Sequence, residues 1–174
     1  MTGVRKQKKI CVLGDFSVGK TSLVRRYVLD EFSADYRATV GVKIYQHRSS
    51  IRIGDRDVEV SQSIWDIEGS KFGEQLVASY IAGSSGALIV GDLTRDDVLP
   101  SVASHAETFL QHLPGRPVVF ALNKADLAPP ATRPDGEELV RQFGGAVIQT
   151  SALTGEEVGA AFSAMLRRIL EIGA

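Results

Sequence analysis

Short apolar runs alternate along the chain with segments whose apolar positions recur at helical spacing, the pattern of alternating strands and helices. Residues 10–14 read as a buried strand that leads into a glycine-containing loop. Leu23, Val24, Tyr27 and Val28 then share one face of a helix over 21–30. Segments 42–53 and 57–65 alternate inward and outward and meet across Gly54 and Asp55, which predicts an antiparallel hairpin. Runs 87–90, 118–122 and 146–148 are continuously apolar, as in parallel strands covered on both faces. Helices are predicted over 71–82, 97–112, 135–143 and 155–172, the last with Phe162, Leu166, Ile169 and Leu170 on one stripe. The expected fold is α/β: a six-stranded, mostly parallel sheet with one antiparallel hairpin strand and about five surrounding helices. It spans 1–174 as a single domain, with 1–8 as a short N-terminal extension. Ligands of such sheets sit beyond the carboxyl ends of the strands.

Composition narrows the class of protein more than it changes this picture. The chain has 174 residues, 44% hydrophobic and 24% charged, ordinary values for a globular domain. A net charge of −1 supplies no global field for nucleic acid or anionic lipid. The local exception, Arg5, Lys6, Lys8 and Lys9, reads as a solvated lead-in to the first strand. One cysteine, Cys11, sits in an apolar run and reads as core. His105 and His112 lie two turns apart on a predicted helix, as surface residues, and no histidine joins a zinc-like ligand set. No stretch is long and apolar enough to span a bilayer, no cysteine ends the chain, and Thr2 occupies the place where myristoylation needs glycine. A cytoplasmic location without a direct membrane anchor is expected.

The chemistry lies at the predicted strand ends. Gly14-Asp15-Phe16-Ser17-Val18-Gly19-Lys20-Thr21 matches G-x-x-x-x-G-K-[ST] between a strand and a helix, the P-loop of nucleoside triphosphatases. Its glycines let successive N–H groups turn toward an anion, and the helix start adds its positive end. Lys20 is expected to reach the β- and γ-phosphates, and the Thr21 hydroxyl to bind Mg²⁺. Asn123-Lys124-Ala125-Asp126 follows the 118–122 run. A carboxylate at Asp126 can accept from the N1–H and exocyclic amine of guanine, donors that adenine lacks on that edge. The Lys124 stem can cover the base, and Asn123 can tie this loop to the phosphate loop. Thr150-Ser151-Ala152-Leu153, after the next strand, can present the Ala152 N–H to the guanine carbonyl.

In this order the motifs resemble a Ras-superfamily small GTPase of the Rab kind, over residues 8–172. The resemblance implies a GTP/GDP-binding switch with Mg²⁺. Tyr36-Arg37-Ala38-Thr39-Val40-Gly41-Val42 resembles switch I, where Thr39 would bind Mg²⁺ and hold the attacking water. Ile64-Trp65-Asp66-Ile67-Glu68-Gly69 resembles the start of switch II, where Asp66 would hold Mg²⁺ through water and the Gly69 N–H would meet the γ-phosphate. Phe32 matches the aromatic that packs against guanine. Asp15, Phe16, Ser17, Val18, Gly19, Ser22, Tyr36 and Leu153 complete the implied nucleotide shell. Ile44, Trp65 and Tyr80 mark the implied effector surface, with exchange and activating proteins as further partners. Two positions depart from the family. Ser70 stands where glutamine orients the attacking water, and Phe16 where Gly or Ser is usual. Glu68 replaces a small residue, either as a displaced water-positioning group or as a solvated loop carboxylate. The expectation is a GTPase with slow hydrolysis; the alternative is a GTP-bound, nearly inactive partner-binding module.

Overall fold

A computed structural model describes residues 6–35, 39–68 and 74–173, with the backbone alone at 74 and 75. In chain order these form β1 (Lys6–Leu13), α1 (Lys20–Leu29), β2 (Val42–Ile53), β3 (Arg56–Ile67), α2 (Glu74–Ile81) and β4 (Gly86–Asp92). There follow α3 (Val98–His112), β5 (Val118–Asn123), α4 (Glu137–Phe143), β6 (Ala146–Gln149) and α5 (Val158–Ile172), with two 3₁₀ turns at Ala125–Leu127 and Pro130–Thr132. The strands make one six-stranded sheet in the order β2-β3-β1-β4-β5-β6. Only β2 and β3 pair antiparallel; the remaining neighbours are parallel. This is the P-loop α/β architecture that the pattern predicts.

The period-2 side-chain rule divides the core. On β1, Ile10 and Val12 face one side and Cys11 and Leu13 the other. The first side packs on Leu23 and Val24 of α1 and on Phe162, Met165, Leu166 and Ile169 of α5. The second packs on Val102, Ala106 and Phe109 of α3, Ile81 of α2 and Leu139 of α4. Burial on both faces is why β4 and β5 are apolar throughout, without alternation. Among the described residues no helix is long and apolar enough to cross a membrane.

Two expectations change. Residues 6–8 are strand rather than extension, because Lys6, Gln7 and Lys8 pair in register with Val60, Ser61 and Gln62 of β3. Polar side chains at a partly open sheet end concealed this pairing from an apolar pattern. Lys9 is likewise no solvated lead-in. Its ammonium lies 3.6 Å from the centre of the Trp65 ring and donates to the Tyr80 carbonyl at 2.6 Å and the Ala82 carbonyl at 2.8 Å.

Candidate functional site

A cleft of about 590 Å³ opens at the carboxyl ends of β1, β3, β5 and β6. At its floor the loop after β1 turns into α1 through Gly19, whose φ of +99 falls in the left-handed region. A Cβ there would stand 2.4 Å from Asn123 Nδ2, so glycine is required by both backbone and space. Lys20 opens the helix and is nearly buried, donating to the Gly14 carbonyl at 3.0 Å and the Asp15 carbonyl at 2.7 Å. Burial lowers its pKa to about 8, against the pull of the Asp66 and Asp15 carboxylates. A low-dielectric ammonium beside turned-in loop backbone is suited to a polyanion, which would favour its charged form.

Beside Lys20 three oxygen donors converge from distant segments. The Thr21 hydroxyl lies 2.7 Å from that of Thr39 and donates to Asp66 Oδ2 at 2.5 Å. Asp66 is fully buried, and its Oδ1 has no hydrogen-bond partner. Burial raises the Asp66 carboxyl above its ordinary value, despite the Thr21 hydrogen bond and the Lys20 charge. An orphaned carboxylate oxygen beside two hydroxyls is an oxygen-only donor set, and it fits Mg²⁺ completed by water and phosphate. Among the described residues no three His, Cys, Asp or Glu side chains cluster as metal ligands.

At the opposite end Asn123, fully buried, ties three loops together. Its Nδ2 donates to the Val18 carbonyl at 3.1 Å, and its Oδ1 accepts from Thr150 Oγ1 at 3.3 Å and from Ala152 N–H at 3.1 Å. The Ala152 amide, expected to face a guanine carbonyl, is thus engaged by Asn123 because the ends of the paired strands β5 and β6 bring the two loops side by side. Lys124 takes a left-handed φ of 66 and spans the cleft edge, donating to the Ser17 carbonyl at 2.9 Å and to Asp92 Oδ2 at 2.6 Å. Asp126 lines the cleft and accepts the Ser151 hydroxyl at 2.6 Å.

Phe16, Ser17, Gly19, Ser22, Phe32, Thr39, Glu68, Lys124, Ala152 and Leu153 also border this cleft. Three expected contributors do not present side chains to it. Val18 is buried in the core and Ser151 sits behind Asp126. Asp15 turns away toward α3, accepting Ser101 Oγ at 2.6 Å, with His105 Nε2 at 2.7 Å from its other oxygen. Burial opposes its charge, but these contacts and Arg95 hold the carboxyl below its ordinary value. His105 is therefore a brace for the phosphate loop rather than a plain surface residue. Gly69, Ser70, Tyr36 and Arg37 lie outside the described residues.

Sequence reasoning missed the arginines behind the cleft. Arg26 of α1 donates through Nε to the Ala152 carbonyl at 2.9 Å and through Nη2 to the Leu153 carbonyl at 2.8 Å. Arg133 grips the 3₁₀ turn that carries Asp126, donating to the Ala125 carbonyl at 2.6 Å and the Ala128 carbonyl at 2.8 Å. Arg95 donates to the Phe16 carbonyl at 2.6 Å. Nothing short-range in the sequence signals any of them, since each joins segments that only the fold brings together. Glu68, for its part, is no solvated carboxylate: its Oε2 accepts the Gly41 N–H at 2.7 Å.

The model of the Ras family matches residues 9–171. Among curated relatives, the Ras-related protein RABA4a of Arabidopsis thaliana is 32% identical over 167 residues, covering 94% of this chain and 72% of the relative. RABA6b of the same plant is 33% identical over 171 residues, covering 94% and 71%, and RABA5b is 32% identical over 164 residues, covering 92% and 74%. With a phosphate loop, a hydroxyl–carboxylate oxygen set and an Asn-Lys-x-Asp turn around one cleft, and with this extent of similarity, the chain belongs to the Ras family of small GTPases, as a Rab-like member.

Proposed function

We propose that the chain is a guanine-nucleotide-dependent molecular switch whose own GTP hydrolysis is slow. The observation that carries this reading is the convergence of Lys20, Thr21 and Thr39, backed by the buried Asp66 carboxylate, at one end of the cleft with Asp126 at the other. That spacing suits a triphosphate at the first end and a base at the second. Mg²⁺ held by Thr21, Thr39 and, through water, Asp66 would supply charge neutralisation for the phosphates. Lys20 and the loop N–H groups stabilise the β- and γ-phosphate oxygens. The Thr39 carbonyl and Gly69 N–H position the water and the γ-phosphate for in-line attack. GTP orders both switches, and loss of the γ-phosphate releases them.

The readout surface adjoins the switches. Ile44 and Trp65 are direct cross-strand partners on β2 and β3, and Lys9 links the Trp65 ring to the backbone of α2 at Tyr80. Ile44 is half exposed, which suits an effector that binds the ordered switch surface.

Slow hydrolysis follows from two side chains. Serine at position 70 is too short to bridge water and γ-phosphate as a glutamine does. Phe16 stands half exposed at the cleft edge and crowds the approach of an arginine supplied in trans, a group worth ~10³–10⁵ in rate. Single-turnover GTP hydrolysis of the natural protein, Ser70→Gln and Phe16→Gly tests the reading. Acceleration by either change supports it; a natural protein as fast as a glutamine-bearing relative defeats it. The Glu68–Gly41 bond favours a second reading, a nearly inactive GTP-bound module, and recovery of GTP rather than GDP with the purified protein would select it.

A further inference from the structure

We propose that Glu68 is a positioning residue that pins the carboxyl end of switch I to the end of β3, which shortens the segment that a γ-phosphate must order to bring Thr39 over the metal-binding oxygens. This rests on the nucleotide-switch reading above. Switch I must be held by something, and apolar burial does not hold it here: Val40 is 85% exposed. The Thr39 hydroxyl is engaged with that of Thr21 and with the Asp66 carboxylate, and a bound cation would draw on these same oxygens. The anchor that survives metal binding is therefore further along, at Gly41.

There the chain reverses through a left-handed φ of +75, which turns the Gly41 amide toward β3. Glu68 meets it twice. Its N–H donates to the Gly41 carbonyl at 2.9 Å, and its carboxylate Oε2 accepts the Gly41 N–H at 2.7 Å. The first bond continues the β2–β3 ladder, in which Val42 opposes Ile67, and any residue could make it. The second needs a side chain of this length and an acceptor oxygen. It is charge-assisted and partly shielded from water, so it belongs to the stronger class of hydrogen bonds. Gly41 lies two residues from Thr39, so fixing one restricts the other to a short arc around the Thr21–Asp66 pair. A small residue at position 68 would leave that restraint to the nucleotide.

The test uses ¹⁵N-labelled protein loaded with GDP and Mg²⁺, as natural chain, Glu68→Gln and Glu68→Ala. Hydrogen exchange of the Gly41 amide, followed by NMR, is expected to be slow in the natural chain and within about threefold of it in the Gln variant, whose side-chain carbonyl still accepts. In the Ala variant exchange should rise by about tenfold or more, and about tenfold more Mg²⁺ should be needed to retain fluorescent GDP. Gly41 exchange as fast in the natural chain as in Glu68→Ala overturns the proposal, as does a Gln variant no better protected than Ala. Uptake of fluorescent GDP by the natural chain is measured first. No uptake would sink the nucleotide reading, and the same exchange comparison without nucleotide then still decides the role of Glu68.

Discussion

Asp126 and Asp92 are carboxylates bordering the same loops, yet their surroundings give them different work. Asp126 keeps one oxygen on the Ser151 hydroxyl at 2.6 Å while the residue lines the cleft. Asp126→Ala should weaken GDP binding by about 2–3 kcal/mol and erase preference over ADP, because guanine donors lose their acceptor. Parallel titrations with fluorescent GDP and ADP check this, and an unchanged ratio would place base reading elsewhere. Asp92 is enclosed instead. Burial works against its charge, but Lys124 and the Thr94 hydroxyl and N–H outweigh it and hold the carboxyl below its ordinary value. The folded state then binds fewer protons than the unfolded one around pH 4, so the contribution is present above the unfolded pKa of about 3.9 and disappears as pH falls through the folded value. Urea unfolding should find Asp92→Ala about 1–3 kcal/mol less stable at pH 7. The gap should close toward pH 3. A gap that ignores pH would mean that the carboxylate charge plays no part.

The catalytic-looking loops are short and would be loose by themselves; their rigidity comes from neighbouring elements. Helix α1 carries Lys20 at its start and Arg26 two turns later, so one helix both floors the phosphate end and clamps the loop after β6. Arg133 does the same for the turn after β5, and α3 with Arg95 braces the phosphate loop through Asp15 and the Phe16 carbonyl. Removing Arg26 frees the Ala152 and Leu153 carbonyls of the base-end loop, while the arginine itself does not line the cleft. Arg26→Ala should therefore speed GDP dissociation by about tenfold, equivalent to one or two hydrogen bonds, with little change in the GDP-to-ADP preference. Stopped-flow release of fluorescent GDP reads the rate, and an unaltered rate would show that the loop holds its shape unaided.

Across the whole molecule, the two faces of one sheet keep these elements in register. Phe162 of α5 is fully buried and stacks on Tyr27 of α1 with centroids 3.9 Å apart, coupling the last helix to the helix that bears Lys20. Phe162→Ala should cost about 3–5 kcal/mol in urea unfolding, as large core truncations do, while the folded fraction keeps its base preference. A loss below 1 kcal/mol would mean that the α1–α5 seam can collapse around the gap. The strand and helix succession, the phosphate loop and the Asn123-Lys124-x-Asp126 turn were legible in the linear chain, because periodicity and contiguous motifs are local properties. The polar start of β1 was not, since its pairing with β3 joins residues more than fifty positions apart. Nor could a linear reading turn Asp15 toward α3, aim Arg26 and Arg133 at loop carbonyls, or direct the Glu68 carboxylate to the Gly41 amide. Those outcomes depend on which backbone groups stand within hydrogen-bond reach once the sheet has formed, and chain folding alone sets that distance.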